Sequence, residues 1–245
     1  MRTILWFLYF WIILLRYLPT LHKIKKLDRE GRAEERDRLM ERSVANWAKS
    51  LLKVAGVRVE VLGQENIPQG QPVVFVGNHQ GNFDIPILLA FLDCPHGFVA
   101  KIETQKIPLI RSWMKYLRCV FLDRDNPRQA MGAIGEAAKI LQDGHSVILF
   151  PEGTRSRGNQ MRTFQSGGFR IAVKSGASVV PLVINGSYKV MEAHGFWIHP
   201  ASVRLTILPP VELSSMDREE KKQLHIRLYD QIEKELKEQL SQSRA

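Results

Sequence analysis

Two short stretches of this sequence combine residue types that can move a proton or hold an anion. The first is Gly77-Asn78-His79-Gln80-Gly81-Asn82-Phe83-Asp84. An imidazole with an ordinary pKa of about 6.5 accepts a proton at neutral pH, and a carboxylate a few residues on can orient the ring and stabilise the imidazolium. Such a pair suits general-base chemistry on a hydroxyl. Asp84 also precedes Ile85-Pro86, a good helix start, and capping is compatible with catalysis because a side chain held there is already placed. His79 without Asp84 reads as a hydrogen-bonded loop histidine. The second stretch is Phe150-Pro151-Glu152-Gly153-Thr154-Arg155-Ser156-Arg157. Guanidinium groups offer forked donors, and backbone amides approach an anion closely at glycine. A solvated turn with surface arginines has the same composition. A third cluster, Phe121-Leu122-Asp123-Arg124-Asp125, read alone is a salt-bridged surface corner. Cys94 and Cys119 lie outside the histidine-bearing stretch and there is no Gly-x-Ser-x-Gly elbow, so nothing points to a covalent enzyme intermediate. No metal is expected, since His79 and Asp84 lack a third ligand at a usual spacing.

Each stretch follows a short apolar run, residues 73–76 and 147–149, of the kind that forms buried strands. Ligands in α/β folds collect at the carboxyl ends of such strands. Residues 57–61 alternate in polarity, and further apolar runs occupy 97–100, 119–122, 179–184 and 203–208. Helical spacing is present at 85–92, 128–142 and 169–174. Strands alternating with helices predict an α/β fold, a largely buried mixed sheet flanked by helices. The tail, 215–239, opens on Ser215 and Arg218-Glu219-Glu220, which predicts a capped, charged surface helix.

The chain has 245 residues, 44% of them apolar, which supports a sizeable core and rules out disorder as a description of the whole. Two cysteines exclude a disulfide-dense scaffold. The net charge of +10 implies an acidic partner: nucleic acid, an anionic membrane or a phosphorylated substrate. The excess lies in two blocks, with 13 basic against 7 acidic residues in 1–60 and 13 against 6 in 100–175. The first block borders the apolar run from Ile4 to Leu15, interrupted at Arg16 and ended by Pro19. A helix over 2–18 is about 25 Å long, short of the roughly 30 Å hydrocarbon core. Together with its many aromatics, this favours a monotopic, in-plane anchor over a single span. A signal peptide is disfavoured, because no small-x-small site follows. His22, Lys23, Lys25, Lys26, Arg29 and Arg32 belong on the cytoplasmic side by the positive-inside rule. Residues 34–55 form a further helix with Gly56 as its stop, either lying on the membrane or packed on the main domain. The organisation expected is a membrane-docking pair of helices in 1–56 and a catalytic domain in 57–245. Nucleic acid would require basic residues interleaved with exposed aromatics, or a known fingerprint, and neither is visible. A purely membrane-shaping module leaves the strand-end clusters unexplained.

Taken in order, the clusters resemble the glycerolipid acyltransferases of the phosphate-acyltransferase superfamily, most closely the bacterial 1-acyl-glycerol-3-phosphate acyltransferases. The resemblance covers roughly residues 57–210 and rests on four blocks: His79 to Asp84 as His-x4-Asp, Phe121 with Arg124, Phe150 to Ser156, and Val180-Pro181-Leu182-Val183-Ile184. It implies acyl transfer from a thioester, carried by acyl carrier protein or coenzyme A, to the sn-2 hydroxyl of lysophosphatidic acid, giving phosphatidic acid. No cofactor is implied. By this resemblance His79 is the general base and Asp84 orients it, while Lys101, Arg124 and Arg155 hold the acceptor's phosphate. Glu152 would contact the glycerol hydroxyl, and the amides around Gly153 and Thr154 the phosphate or oxyanion. An acceptor with a larger headgroup, or glycerol 3-phosphate, stays open. Two departures bear on the phosphate pocket. Arg111 and Arg118 stand where the family usually has glycine, and Phe164-Gln165-Ser166-Gly167 replaces Phe-Lys-x-Gly.

Overall fold

The computed structural model describes residues 1–94, 96–123 and 126–242. Three helices come first: α1 (Arg2–Arg16), α2 (Leu18–Arg29) and α3 (Ala33–Ala55). The basic run after the apolar segment is thus itself helical. Pro19 does not end a helix as expected. It sits in the first turn of α2, where its missing N–H has no intrahelical partner to lose. α2 buries Leu21, Ile24 and Leu27, three residues apart, and turns Lys23, Lys25, Lys26 and Arg29 outward. α3 buries Met40, Val44, Ala48, Leu51, Leu52 and Ala55 on one stripe and ends at Gly56 with φ 77°, a left-handed cap that suits glycine.

From there strands and helices alternate: β1 (Arg58–Leu62), β2 (Val74–Gly77), α4 (Asp84–Phe91), β3 (His96–Lys101), α5 (Ile110–Tyr116), β4 (Val120–Leu122), α6 (Pro127–Gln142), β5 (Ser146–Leu149), α7 (Arg170–Ser175), β6 (Val179–Asn185), β7 (Ser202–Ile207) and α8 (Arg218–Gln242). They make one seven-stranded sheet in the order β1-β7-β6-β2-β5-β3-β4. It is mixed, as expected, because β7 runs antiparallel to β6 while the other neighbours are parallel. β2 lies between β5 and β6, so all four of its residues are buried.

The period of a strand divides each apolar run between two layers. Phe75, Ile148, Val180, Leu182 and Ile184 face one core, which also contains Trp6, Leu14, Ile24, Val44 and Leu51 from α1–α3 and Ile87 and Leu88 from α4. Val74, Val76, Val147, Leu149, Val179 and Val183 face the other, closed by α6, α7 and α8. Packing therefore crosses residue 56: α3 rests on α4, and α1 is tied to α3 by Trp6 Nε1 donating to Leu51 O at 3.0 Å. The tail helix differs from its expected form. α8 buries Leu224, Leu228, Ile232 and Leu236 at four-residue spacing, so it covers the sheet rather than lying on the surface. Its cap is Asp217, whose Oδ1 accepts from the amides of Glu219 at 2.7 Å and Glu220 at 2.8 Å, with Glu220 Oε2 accepting from Asp217 N at 2.8 Å. Asp217 and Glu220 have the spacing of a reciprocal capping box, which Ser215 does not.

Candidate active site

β2 leaves the sheet at Gly77, and buried amide side chains hold the loop that follows. Asn78 donates from Nδ2 to Ile184 O and accepts at Oδ1 from Ile184 N, both at 2.8 Å, continuing the β2–β6 pairing by one side chain. Gln80 Oε1 accepts from Gly186 N at 2.8 Å. A loop pinned on both sides of His79 presents the imidazole in one orientation. α4 then brings Asp84 back to it: His79 Nδ1 and Asp84 Oδ2 are 2.7 Å apart. Asp84 is 0% exposed, and its oxygens are met by donors, as a buried carboxylate requires. Gly81 N donates to Oδ2 at 2.9 Å and the Ser187 hydroxyl donates to Oδ1. Asp84 was expected as a possible N-cap, but α4 has no side-chain cap; the carboxylate serves the histidine loop instead.

Because Asp84 accepts, the His79 proton sits on Nδ1 and the lone pair on Nε2. The ring stacks on Phe150, with centroids 4.2 Å apart and planes at 16°, and its side chain is 17% exposed. It is rigid yet open to a substrate.

The loop after β5 lies against the histidine loop. Ser156 N donates to His79 O at 2.7 Å and Arg157 N to Gln80 O at 3.1 Å. Buried Glu152 joins the two as well, accepting His79 N–H at 2.6 Å through Oε1 and Arg162 N–H at 2.9 Å through Oε2. Burial pushes the Glu152 carboxyl above its ordinary range, partly offset by these amides. The structure thus engages both Glu152 oxygens as a brace between loops. Gly153 has φ 74° and donates its N–H to Phe150 O at 3.1 Å, so that amide closes the turn. Arg155 donates to Glu192 Oε1 at 3.0 Å, and the same oxygen accepts from Asn82 N at 2.8 Å. Gly81 passes so close to Glu192 Oε2 that a Cβ there would collide with it.

A cavity of about 560 Å³ opens at these groups. His79, Lys101, Thr154 and Arg155 contribute to its wall, and Gly153 does too. The rest is largely apolar: Leu14 from α1, Val44 and Trp47 from α3, Leu89 from α4, Trp113 and Leu117 from α5 and the residue after it. Cys119 also lines it, and burial pushes that thiol up to about 12, so it is held as the poorly nucleophilic thiol. Arg124 lies outside the described residues.

The extra arginines go elsewhere. Arg111 is exposed on α5. Arg118 adopts φ 55°, the left-handed region that favours glycine, and its guanidinium reaches Asp37 at 3.3 Å and Asp143 at 3.8 Å. It ties α3 to the main domain instead of lining the cavity. Sequence reasoning missed Ser187 and Glu192: both follow β6 in short 3₁₀ turns and carried no motif of their own.

Comparison with known proteins agrees with this geometry. A family model described as Acyltransferase matches residues 58–185. The 1-acyl-sn-glycerol-3-phosphate acyltransferase of Borreliella burgdorferi is 31% identical over 185 residues, covering 76% of this chain and 74% of that protein. The chloroplastic 1-acyl-sn-glycerol-3-phosphate acyltransferase of Arabidopsis thaliana is 35% identical over 163 residues, 65% of this chain but only 45% of that longer protein. The crystal structure of the 1-acyl-sn-glycerophosphate (LPA) acyltransferase from Thermotoga maritima superposes with a TM-score of 0.80 at 29% identity, covering 97% of each chain.

Proposed function

The chain belongs to the acyltransferase family, and from that premise we propose that it moves a fatty acyl group from a thioester to the sn-2 hydroxyl of 1-acyl-glycerol 3-phosphate, giving phosphatidic acid. The observation that carries this is His79, held by Asp84 at 2.7 Å and set in the wall of a largely apolar cavity that Lys101 and Arg155 also line.

His79 Nε2 removes the acceptor's hydroxyl proton as that oxygen attacks the thioester carbon. Asp84 holds the ring and stabilises the imidazolium. When the tetrahedral adduct collapses, the carbon–sulfur bond breaks and the proton passes from His79 to the departing sulfur. No acyl-enzyme is needed, consistent with a Cys119 thiol pushed up to about 12. Of the groups expected to face the oxyanion, Thr154 at the cavity wall is the best placed, since the Gly153 N–H already serves the Phe150 carbonyl. Lys101 and Arg155, with Arg124, hold the phosphate. The apolar wall between α1, α3, α4 and α5 takes an acyl chain.

Membrane attachment is through α1. Its inner stripe packs on α3 while Ile4, Leu5, Leu8, Trp11, Ile12 and Leu15 stay exposed. The helical stretch Arg2–Arg29 is long and apolar enough to cross a bilayer. Spanning would nevertheless strip α1 from its protein partners and draw the lysines of α2 into hydrocarbon, which favours lying in one leaflet. The basic face of α2 then meets anionic headgroups on the cytoplasmic side.

An acceptor panel tests the reading. Lysophosphatidic acid, lysophosphatidylcholine and glycerol 3-phosphate are each offered with acyl carrier protein and coenzyme A thioesters. Acylated product should form from the first acceptor, as phosphatidic acid, and not from the other two. Equal turnover of lysophosphatidylcholine would overturn the phosphate assignment.

A further inference from the structure

The segment between β6 and β7 carries the most exposed aromatic pair outside α1: Phe196 is 82% exposed and Trp197 59%. Two large apolar side chains side by side at a loop tip need an apolar partner, since each leaves most of its surface in water. Their surroundings indicate which one. Next to them Ile198 is buried in the core that also holds Trp6 and Leu14, and its N–H donates to Thr3 Oγ1 at 2.8 Å. The base of the loop is closed by Trp197 N donating to His194 O at 3.2 Å and His199 N to Val190 O at 2.9 Å. The tip is therefore fixed beside the first turn of α1. The same helix start carries exposed Ile4, Leu5 and Leu8, one residue and more beyond the Thr3 that holds the loop. The charge around it suits anionic headgroups: Arg2 and Lys189 are exposed, whereas Glu192, the acid of this segment, is turned inward to Arg155.

We propose that Phe196 and Trp197 form a second membrane contact, inserting with α1 into the same leaflet of an anionic bilayer. This rests on the membrane reading of α1. A lone in-plane helix can roll about its own axis; a second attachment on another part of the body prevents it. The roll matters because Leu14 of α1 and Tyr17, which joins α1 to α2, line the cavity, so the orientation of α1 sets whether a lipid acceptor can enter from the leaflet. Trp197 is suited to the headgroup level, where its ring is half apolar and its indole N–H meets water.

The test uses the full chain and vesicles of phosphatidylcholine and phosphatidylglycerol in equal parts. F196S/W197S should bind them about tenfold or more weakly, because two aromatic side chains no longer leave water. F196L/W197L, which keeps the apolar surface, should restore most of the binding. Lipids brominated on their acyl chains should quench the wild type more than W197F. Turnover of vesicle-embedded lysophosphatidic acid, taken relative to detergent-dispersed acceptor, should fall with binding in F196S/W197S. If the wild type binds the vesicles but F196S/W197S binds within twofold of it, the loop contact is wrong and the α1 anchor stands. If the wild type does not bind, both readings fall. A wild-type dimer that F196S/W197S converts to monomer, with vesicle binding unchanged, would identify the tip as a contact between copies and overturn the proposal.

Discussion

The hydroxyl of Ser187 donates to Oδ1 of Asp84, the carboxylate oxygen turned away from His79. More than a hundred residues separate the two in sequence, yet Ser187 is as fully buried as its partner. It is a positioning residue: without it one oxygen of a buried carboxylate loses its donor, and the carboxylate can rotate away from the imidazole. Ser187→Ala should lower kcat about ten- to a hundredfold, in line with the ~1.5–3 kcal/mol of a hydrogen bond to a charged group, with KM little changed. In an Asp84→Asn background the same change should cost almost nothing more. Additive losses would separate Ser187 from the pair.

The pair itself sets the largest effects. His79→Ala should reduce acyl transfer by about 10²–10⁴ while the fold is retained, the usual range for a general base. Asp84→Asn should approach it, because the amide cannot fix the proton on Nδ1 in the same way. Near-parental activity of folded His79→Ala protein would remove the histidine from the mechanism.

Arg155 and Glu192 form an ion pair at 3.0 Å, with Glu192 nearly fully buried at the side chain and Arg155 partly open to the cavity. Arg155→Ala should raise the KM for lysophosphatidic acid about tenfold or more. Glu192→Ala, which frees the guanidinium from its bracket, should raise it by a smaller factor, roughly threefold, with kcat largely kept. An unchanged KM in Arg155→Ala would take this arginine out of the phosphate site.

The cavity wall makes a chain-length prediction. Leu117→Phe adds bulk to a wall of an approximately 560 Å³ space. The longest acyl thioesters should lose about tenfold in kcat/KM while short ones are turned over as before. A uniform loss across chain lengths would mean that the acyl chain lies elsewhere.

Glu41 gives a pH signature unconnected with catalysis. Burial first, then the neighbouring Asp37 and Asp93 carboxylates, raises it from 4.5 to about 7. The folded chain then holds this proton more tightly than the unfolded chain, so its stabilisation is whole below the unfolded pKa of 4.5 and is lost as pH rises through about 7. Glu41→Gln keeps the neutral form at every pH. Its Tm should match the parent at pH 4 and exceed it by about 2–4 °C at pH 8, the shift expected for about 1 kcal/mol in a chain of this size. A Tm difference that does not widen between these pH values would count against a buried, titrating Glu41.

Much of this architecture is legible along the chain, because the forces behind it are local. An apolar run of strand length ending in Gly77-Asn78-His79 places the histidine at a strand end, and His-x4-Asp lets one loop and one helical turn bring a carboxylate back to the ring. The six apolar runs and the alternating stretch at 57–61 became the seven strands for the same reason. Helix starts were less secure where several residues could cap, so Asp217 and not Ser215 begins α8, and Pro19 opens a helix it was expected to close.

The partners that complete the site could not be read this way. Ser187 and Glu192 reach the histidine loop only because β6 pairs with β2, and the loop braced by Glu152 only because β5 pairs with β2 on its other side. Nothing in the local pattern of β2 specifies those neighbours. The alternation within Val179–Asn185 says that two faces are buried, but which helices cover each face depends on the strand order. Charge is similar: Arg118 and Arg155 look alike in sequence, and only the packed chain turns one to Asp37 and the other to the cavity. Periodicity and turn chemistry act over a few residues, whereas strand order is settled by burial across the whole chain, and the site's second layer is assembled at that longer range.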